Sequence, residues 1–148
     1  MIPNSAKPIE ILLVEDDEAD VLLTRKSLEK NKIAVNLNVV GDGEEALNYL
    51  KHNGKFEDKK TPDLIILDLN LPGMHGREVL TELKKDDQLK SIPVVVLSTS
   101  TAEEEILKTY NLGVNCYISK PINLEQFQNV VTSITHFWFS IVSLPPKD

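Results

Sequence analysis

The sequence predicts a doubly wound α/β domain, and three observations carry that prediction. Short apolar runs alternate with longer amphipathic stretches along the chain. Two of the runs, residues 64–67 and 93–97, are apolar throughout, as strands covered on both faces are. The 148 residues, 41% hydrophobic and 26% charged, have the size and composition of one globular domain. Strands separated by helices join in parallel through right-handed crossovers, which puts helices on both faces of the sheet.

Ile9-Glu10-Ile11-Leu12-Leu13-Val14 predicts the first strand. Residues 17–30 predict a helix with Val21, Leu22 and Leu28 on one side. Val35, Leu37 and Val39 alternate with other residues, the pattern of a half-buried edge strand. The second helix spans 43–52 and carries Ala46, Leu47 and Leu50, and a charged loop follows over 53–60. Leu64-Ile65-Ile66-Leu67 predicts a buried third strand, and residues 76–86 the third helix. The fourth strand covers 93–97, with Pro93 at the one position where a buried strand tolerates it. A fourth helix over 101–112 stops at Gly113, and Thr101 with Glu104 matches a capping box at its start. Cys116-Tyr117-Ile118 predicts the last strand, and residues 123 to about 139 the fifth and last helix. Residues 1–8 form an N-terminal tail, 9–136 the domain, and 137–148 an extension of the last helix and tail.

Sixteen Lys and Arg against 23 Asp and Glu give a formal charge of −7, which disfavours nucleic acid as a partner. Cys116 is the single cysteine, so no internal disulfide forms; a core thiol in a reducing, cytoplasmic setting fits. No apolar run reaches the ~18–20 residues of a membrane span. Met1-Ile2-Pro3-Asn4-Ser5 has neither the basic nor the apolar region of a signal peptide.

Ligands of such folds bind beyond the C-terminal ends of the strands. Glu15, Asp16 and Asp17 follow the first strand, and Asp68 and Asn70 the third. Ser98, Thr99 and Ser100 follow the fourth strand, and Ser119, Lys120 and Pro121 the fifth. Glu15, Asp16 and Asp68 on one rim require raised pKa values or a cation between them. Mg²⁺, which takes one or two carboxylates plus waters and phosphate oxygens, suits them, and the backbone carbonyl of Asn70 adds a ligand. Lys120 and Ser98 then serve a phosphoryl group, with Asp68 as carboxylate nucleophile. Each piece alone has a plainer reading. Acids at 15–18 complement a helix N-terminus, and Lys120-Pro121 makes an ordinary turn. Asp68, closing an apolar run, costs free energy unless paired or coordinated, and the coincidence at four strand ends favours a site.

The segments Ile11-Leu12-Leu13-Val14-Glu15-Asp16-Asp17, Asp63 to Met74 around Leu67-Asp68-Leu69-Asn70-Leu71-Pro72-Gly73, Pro93-Val94-Val95-Val96-Leu97-Ser98 and Tyr117-Ile118-Ser119-Lys120-Pro121 resemble, in order and spacing, the receiver domain of two-component response regulators. The resemblance implies a flavodoxin-like five-stranded parallel sheet of order 2-1-3-4-5 with five helices. It implies that Asp68 is the phosphoacceptor. Asp16, Asp68 and the Asn70 carbonyl would hold Mg²⁺, with Glu15 acting through water. Ser98 and Lys120 would stabilise the phosphoryl group, Ser98 and Tyr117 would form the switch, and a cis bond would precede Pro121. Asp17 falls one place later and reads as a helix N-cap. His75-Gly76 stands where the family has Asp-Gly, and His75 reads as a helix cap or partner-facing residue.

The charged insert before Pro62, the 115–121 segment and the tail from Phe137 to Pro145 look like the small response regulators of bacterial phytochromes, single receivers without an output domain. The implied activity is that of a signalling phosphoacceptor which assists its own phosphorylation and dephosphorylation, not a turnover enzyme. The implied partner is a sensor histidine kinase, by the narrower resemblance a phytochrome, docking on the first helix and the loop after the last strand. Switching would alter the surface of the fourth helix, last strand and last helix. Phe137, Phe139, Val142 and Leu144 exceed what one helix stripe buries, so they point to a homodimer contact or to a tail folded back on its own domain. No nucleic acid and no membrane is expected as partner. Three other readings stand beside this one. A flavodoxin-like flavin carrier would need a phosphate-binding loop where Glu15-Asp16-Asp17-Glu18 stands. A haloacid-dehalogenase-type phosphatase would place its nucleophile after the first strand. A pseudo-receiver would share the fold without accepting phosphate.

Overall fold

The computed structural model describes residues 8–30, 34–99, 113–114, 116–120 and 123–136. Five strands, β1 (Ile9–Val14), β2 (Val35–Val40), β3 (Leu64–Asp68), β4 (Val94–Ser98) and β5 (Cys116–Ser119), pair in parallel in the order β2-β1-β3-β4-β5. Among the described residues the helices are α1 (Glu18–Glu29), α2 (Gly43–Leu50), α3 (Gly76–Lys85) and α4 (Leu124–His136). The helix expected over 101–112, the Thr101–Glu104 box, the bond before Pro121 and everything from 137 onward lie outside the described residues.

Successive strand residues point to opposite faces, so the apolar runs feed two cores. On one face Leu12, Val14, Ile65, Leu67 and Val96 meet Ala46, Tyr49 and Leu50 of α2 and Val79, Leu80 and Leu83 of α3. On the other, Ile11, Leu13, Leu64, Ile66, Val95 and Leu97 meet Leu28 of α1 and Phe127 of α4. β3 and β4 are buried at every position, which is why their sequences do not alternate. Burying a side chain the size of Phe127 contributes about 1.5–3 kcal/mol. No helix among the described residues is long and apolar enough to cross a membrane.

Local chemistry sets the helix starts. The Asp17 carboxylate accepts from Ala19 N at 2.8 Å and Asp20 N at 3.3 Å, making it the N-cap of α1 as expected. Asp42 caps α2 by accepting from Glu45 N at 2.8 Å. His75 caps α3: its Nδ1 accepts from Arg77 N at 3.1 Å, while its own N–H donates to Glu78 Oε1 at 3.1 Å. Gln126 N donates to Asn123 Oδ1 at 2.9 Å at the start of α4.

Three expectations are corrected. Leu22 is 52% exposed, because the inward stripe of α1 runs through Val21, Thr24 and Leu28 and leaves Leu22 off it. Thr24 and Ser27 are buried there because their hydroxyls donate back to Asp20 O and Leu23 O. In β2, Val39 is exposed and Val40 is buried, since α2 turns back over Val40 while Val35 and Leu37 serve the opposite face. α2 ends at Leu50 because His52 takes a left-handed φ of 59°. The charged loop after it contains a short 3₁₀ turn, Gly54–Phe56, whose Phe56 ring rests against Tyr49 with centroids 5.4 Å apart.

Candidate phosphoryl and metal site

Four parallel strands deliver their C-terminal ends to one edge of the sheet, and the polar groups gather there. Glu15 follows β1 and is anchored by its N–H, which donates to Val40 O at 3.0 Å. Asp68 is the last residue of β3, and Leu69 N donates to Leu97 O at 2.8 Å just beyond it. Ser98 closes β4 and is fully buried. Lys120 follows β5, its backbone N–H donating to Ser98 O at 2.8 Å. The registers Asp68–Leu97 and Ser98–Ser119 hold these ends level.

One ammonium ties the cluster together. Lys120 Nζ lies 3.0 Å from Asp68 Oδ2, 3.0 Å from Glu15 Oε1 and 2.8 Å from Asp20 Oδ2. Its side chain is 9% exposed, so these are strong, weakly screened pairings. Burial alone would lower the Lys120 pKa; hydrogen bonds to Asp20, Asp68 and Glu15 outweigh it and raise it above the ordinary lysine value. Asp68 Oδ1 accepts from Asn70 N at 2.9 Å, so both oxygens of that carboxylate are held. The Asn70 side chain is fixed too: its Oδ1 accepts from Thr99 N at 2.9 Å and Thr99 Oγ1 at 3.1 Å, clasping the loops after β3 and β4.

The carboxylates outnumber the ammonium. Glu15, Asp16 and Asp68 each place an oxygen within 4.8 Å of the others, Glu15 and Asp68 buried and Asp16 exposed. The Glu15 carboxyl is pushed up from 4.5 to about 7, first by burial and then by the hydrogen bond and charge of Asp68. Its Oε1 makes no hydrogen bond: Lys120 Nζ is 3.0 Å away but off the bonding directions, and the hydrogen bond goes to Oε2 at 3.3 Å. A buried carboxylate oxygen without a donor, beside two more carboxylates, is an acceptor set that a hard divalent cation satisfies. The residues fit such an ion.

Of the rim candidates read from the sequence, Glu15, Asp16, Asp68, Asn70, Ser98 and Lys120 stand at or just beyond the strand ends, while Ser100 and Pro121 lie outside the described residues. Tyr117 lies within β5, half-buried against the α2–α3 core. Cys116 is a half-buried thiol against the other core, its pKa raised by burial. Phe137, Phe139, Val142 and Leu144 lie outside the described residues. Asp20 is the residue that sequence reasoning missed, because an acid in the first turn of a helix already has a role against the macrodipole. Its signal was positional: Asp20, Thr24 and Ser27 recur at helical spacing on the inward face of α1.

The family model of the response regulator receiver domain matches residues 11–132. The response regulator Rcp1 of Synechocystis sp. is 44% identical over 145 residues, covering 98% of this chain and 99% of Rcp1. A crystal structure of the phosphorylated cyanobacterial phytochrome response regulator RcpA superposes with a TM-score of 0.83 at 47% identity, covering 94% of this chain and 99% of that one. The Mn²⁺-bound form of Rcp1 superposes with a TM-score of 0.82 at 45% identity, covering 94% and 100%.

Proposed function

The chain belongs to the response regulator receiver family, and from that premise we propose that it acts in the cytoplasm and takes a phosphoryl group onto Asp68 from the phosphohistidine of a sensor histidine kinase, with Mg²⁺ as the divalent cation. The observation that carries this reading is the Lys120 ammonium, buried 3.0 Å from Asp68 and backed by Glu15 beside the exposed Asp16. RcpA is described as a phytochrome response regulator, which supports a phytochrome as the kinase. Rcp1 has been crystallised with Mn²⁺, which supports a divalent cation at the carboxylates.

The chemistry needs little from the protein beyond position and charge. A carboxylate oxygen of Asp68 forms the bond to phosphorus as the P–N bond to the donor histidine breaks, and the imidazole leaves with the bonding pair. Asn70 N, on Asp68 Oδ1, orients the carboxylate. Lys120 turns its ammonium from Asp68 Oδ2 to a phosphoryl oxygen. Ser98, buried at the end of β4, donates to a second one. Asp16, Asp68 and the Asn70 carbonyl, with Glu15 through water, would hold the divalent cation, whose charge would add to that of Lys120 in neutralising the phosphoryl group.

Ser98 drawn toward the phosphate leaves room into which the half-buried Tyr117 turns, and the surface of residues 101–112, β5 and α4 changes with it. That is a local electrostatic event biasing a two-state element. The tail residues Phe137, Phe139, Val142 and Leu144 join this surface in a homodimer. Sedimentation should give a dimer that quadruple substitution of these residues by Ser converts to a monomer; a wild-type monomer at high concentration, phosphorylated or not, removes the dimer.

A structure grown with Mg²⁺ and beryllium trifluoride tests the site. The expected result is a trifluoroberyllate on Asp68 with fluorines facing Lys120 and Ser98. The same crystals with Asp68 bare would overturn the assignment.

A further inference from the structure

We propose that Asp20 is a positioning residue for the phosphoryl-transfer site: it anchors the Lys120 ammonium and keeps it in place while the other partners of that ammonium are drawn into the reaction. The inference rests on the phosphoacceptor reading above.

A lysine ammonium has three N–H donors. Here they face three carboxylates, Glu15, Asp68 and Asp20, and the contact to Asp20 Oδ2, at 2.8 Å, is the shortest. Two of these acceptors belong to the reacting centre. On the phosphoacceptor reading Asp68 changes from a carboxylate to an acyl phosphate, and Glu15 would be shared, through water, with a divalent cation. Asp20 alone of the three comes from a helix and lies outside the group of carboxylates within 4.8 Å of one another. Its bond to Lys120 is the one that survives the transfer unchanged.

The side chain could have served its own helix instead. An acid in the first turn of α1 complements the macrodipole from an exposed position. Asp17 and Glu18 do stand exposed, but Asp20 is 17% exposed and reaches across to the loop after β5. The backbone from which it reaches is pinned, since Thr24 Oγ1 donates to Asp20 O at 2.8 Å and Asp20 N donates to the capping Asp17 at 3.3 Å. Lysine is a flexible stem whose ordering costs as much as that of any side chain. A fixed carboxylate on a packed helix meets that cost before the donor arrives, which is how a positioning group accelerates a transfer.

The test follows phosphoryl uptake from acetyl phosphate with Mg²⁺ by intact mass, together with solvent exchange of the Lys120 ammonium by NMR of isotope-labelled protein. Asp20→Asn and Asp20→Ala should slow uptake on the order of ten-fold, the loss expected for one charge-assisted hydrogen bond. Both should hasten ammonium exchange several-fold. Glu18→Gln, which removes an exposed charge from the same turn, should leave both readouts at wild-type values. In a Lys120→Met background Asp20→Asn should add no further slowing. Wild-type uptake with wild-type exchange in Asp20→Asn overturns the proposal. So does faster uptake, or an equal slowing when Lys120 is already gone. If the wild type takes up no phosphoryl group, the phosphoacceptor reading fails, and ammonium exchange alone decides whether Asp20 anchors Lys120.

Discussion

Glu15 is the residue whose ionisation the fold strains most. Burial, and then the bond and charge of Asp68, lift its pKa from 4.5 to about 7. Between those values the folded chain keeps a proton that the unfolded chain has released. Folding is therefore favoured by this group below 4.5, and the advantage is lost as pH rises through 7. The ceiling on this loss is on the order of 3 kcal/mol. With a chelator present, the urea midpoint should fall between about pH 5 and pH 7.5, and Glu15→Gln should flatten that slope. Saturating Mg²⁺ should flatten it as well, because a cation favours the carboxylate. An unchanged slope in Glu15→Gln would place the titration on another group. The sequence announced this cluster through its acids at strand ends, where the apolar run Leu64-Ile65-Ile66-Leu67 leads straight into Asp68. It did not announce Asp20, because contact between α1 and the loop after β5 is a matter of how α1 packs, and a helical acid reads the same whether it faces water or an ammonium.

The loop between β3 and α3 is built as tightly as the strand before it. A Cβ on Gly76 would meet Leu69 Cα at 2.6 Å and Asp68 O at 2.7 Å, backbone atoms that cannot yield. Gly76 N also donates to Leu69 O at 3.4 Å, so the first turn of α3 lies directly against the backbone of Asp68 and Leu69. Gly76→Ala should cost about 1–3 kcal/mol, as overpacking does. It should also shift Asp68, seen as slower phosphoryl uptake by mass; a variant with wild-type stability and uptake would show that the close approach is not tight. His75 in front of it stands as a cap, one of the two roles the sequence offered. Element boundaries were legible where composition changes sharply, as at Asp17, Asp42 and Gly76. They were less so in β2, whose two faces are covered to different extents by α1 and α2. A strict alternation therefore assigned Val39 to the interior in place of Val40. Leu22 was misplaced for a related reason: the stripe of α1 accepts Thr24 and Ser27 because their hydroxyls are satisfied by the helix itself.

At the scale of the whole molecule, parallel strands and right-handed crossovers bring every strand's C-terminal end to one edge, so residues far apart in sequence become neighbours. Lys120 and Glu15 are 105 positions apart in sequence, yet Nζ lies 3.0 Å from Oε1. That convergence was readable from the order of strands and helices, since the topology fixes which ends meet even when side-chain directions are unknown. What the topology left open was the count of acceptors around the one ammonium, which depends on rotamers. The chain matches Rcp1 almost end to end and shares its fold with RcpA at a TM-score of 0.83. The central claim is that this rim loads a phosphoryl group onto one carboxylate. Its most direct test is intact mass and fragment mapping of the wild type and Asp68→Asn after exposure to acetyl phosphate and Mg²⁺. The wild type should carry one hydroxylamine-labile phosphoryl group, mapped to Asp68 and absent without a divalent cation or from the variant. An unmodified wild type, or an adduct that persists in Asp68→Asn, would contradict it.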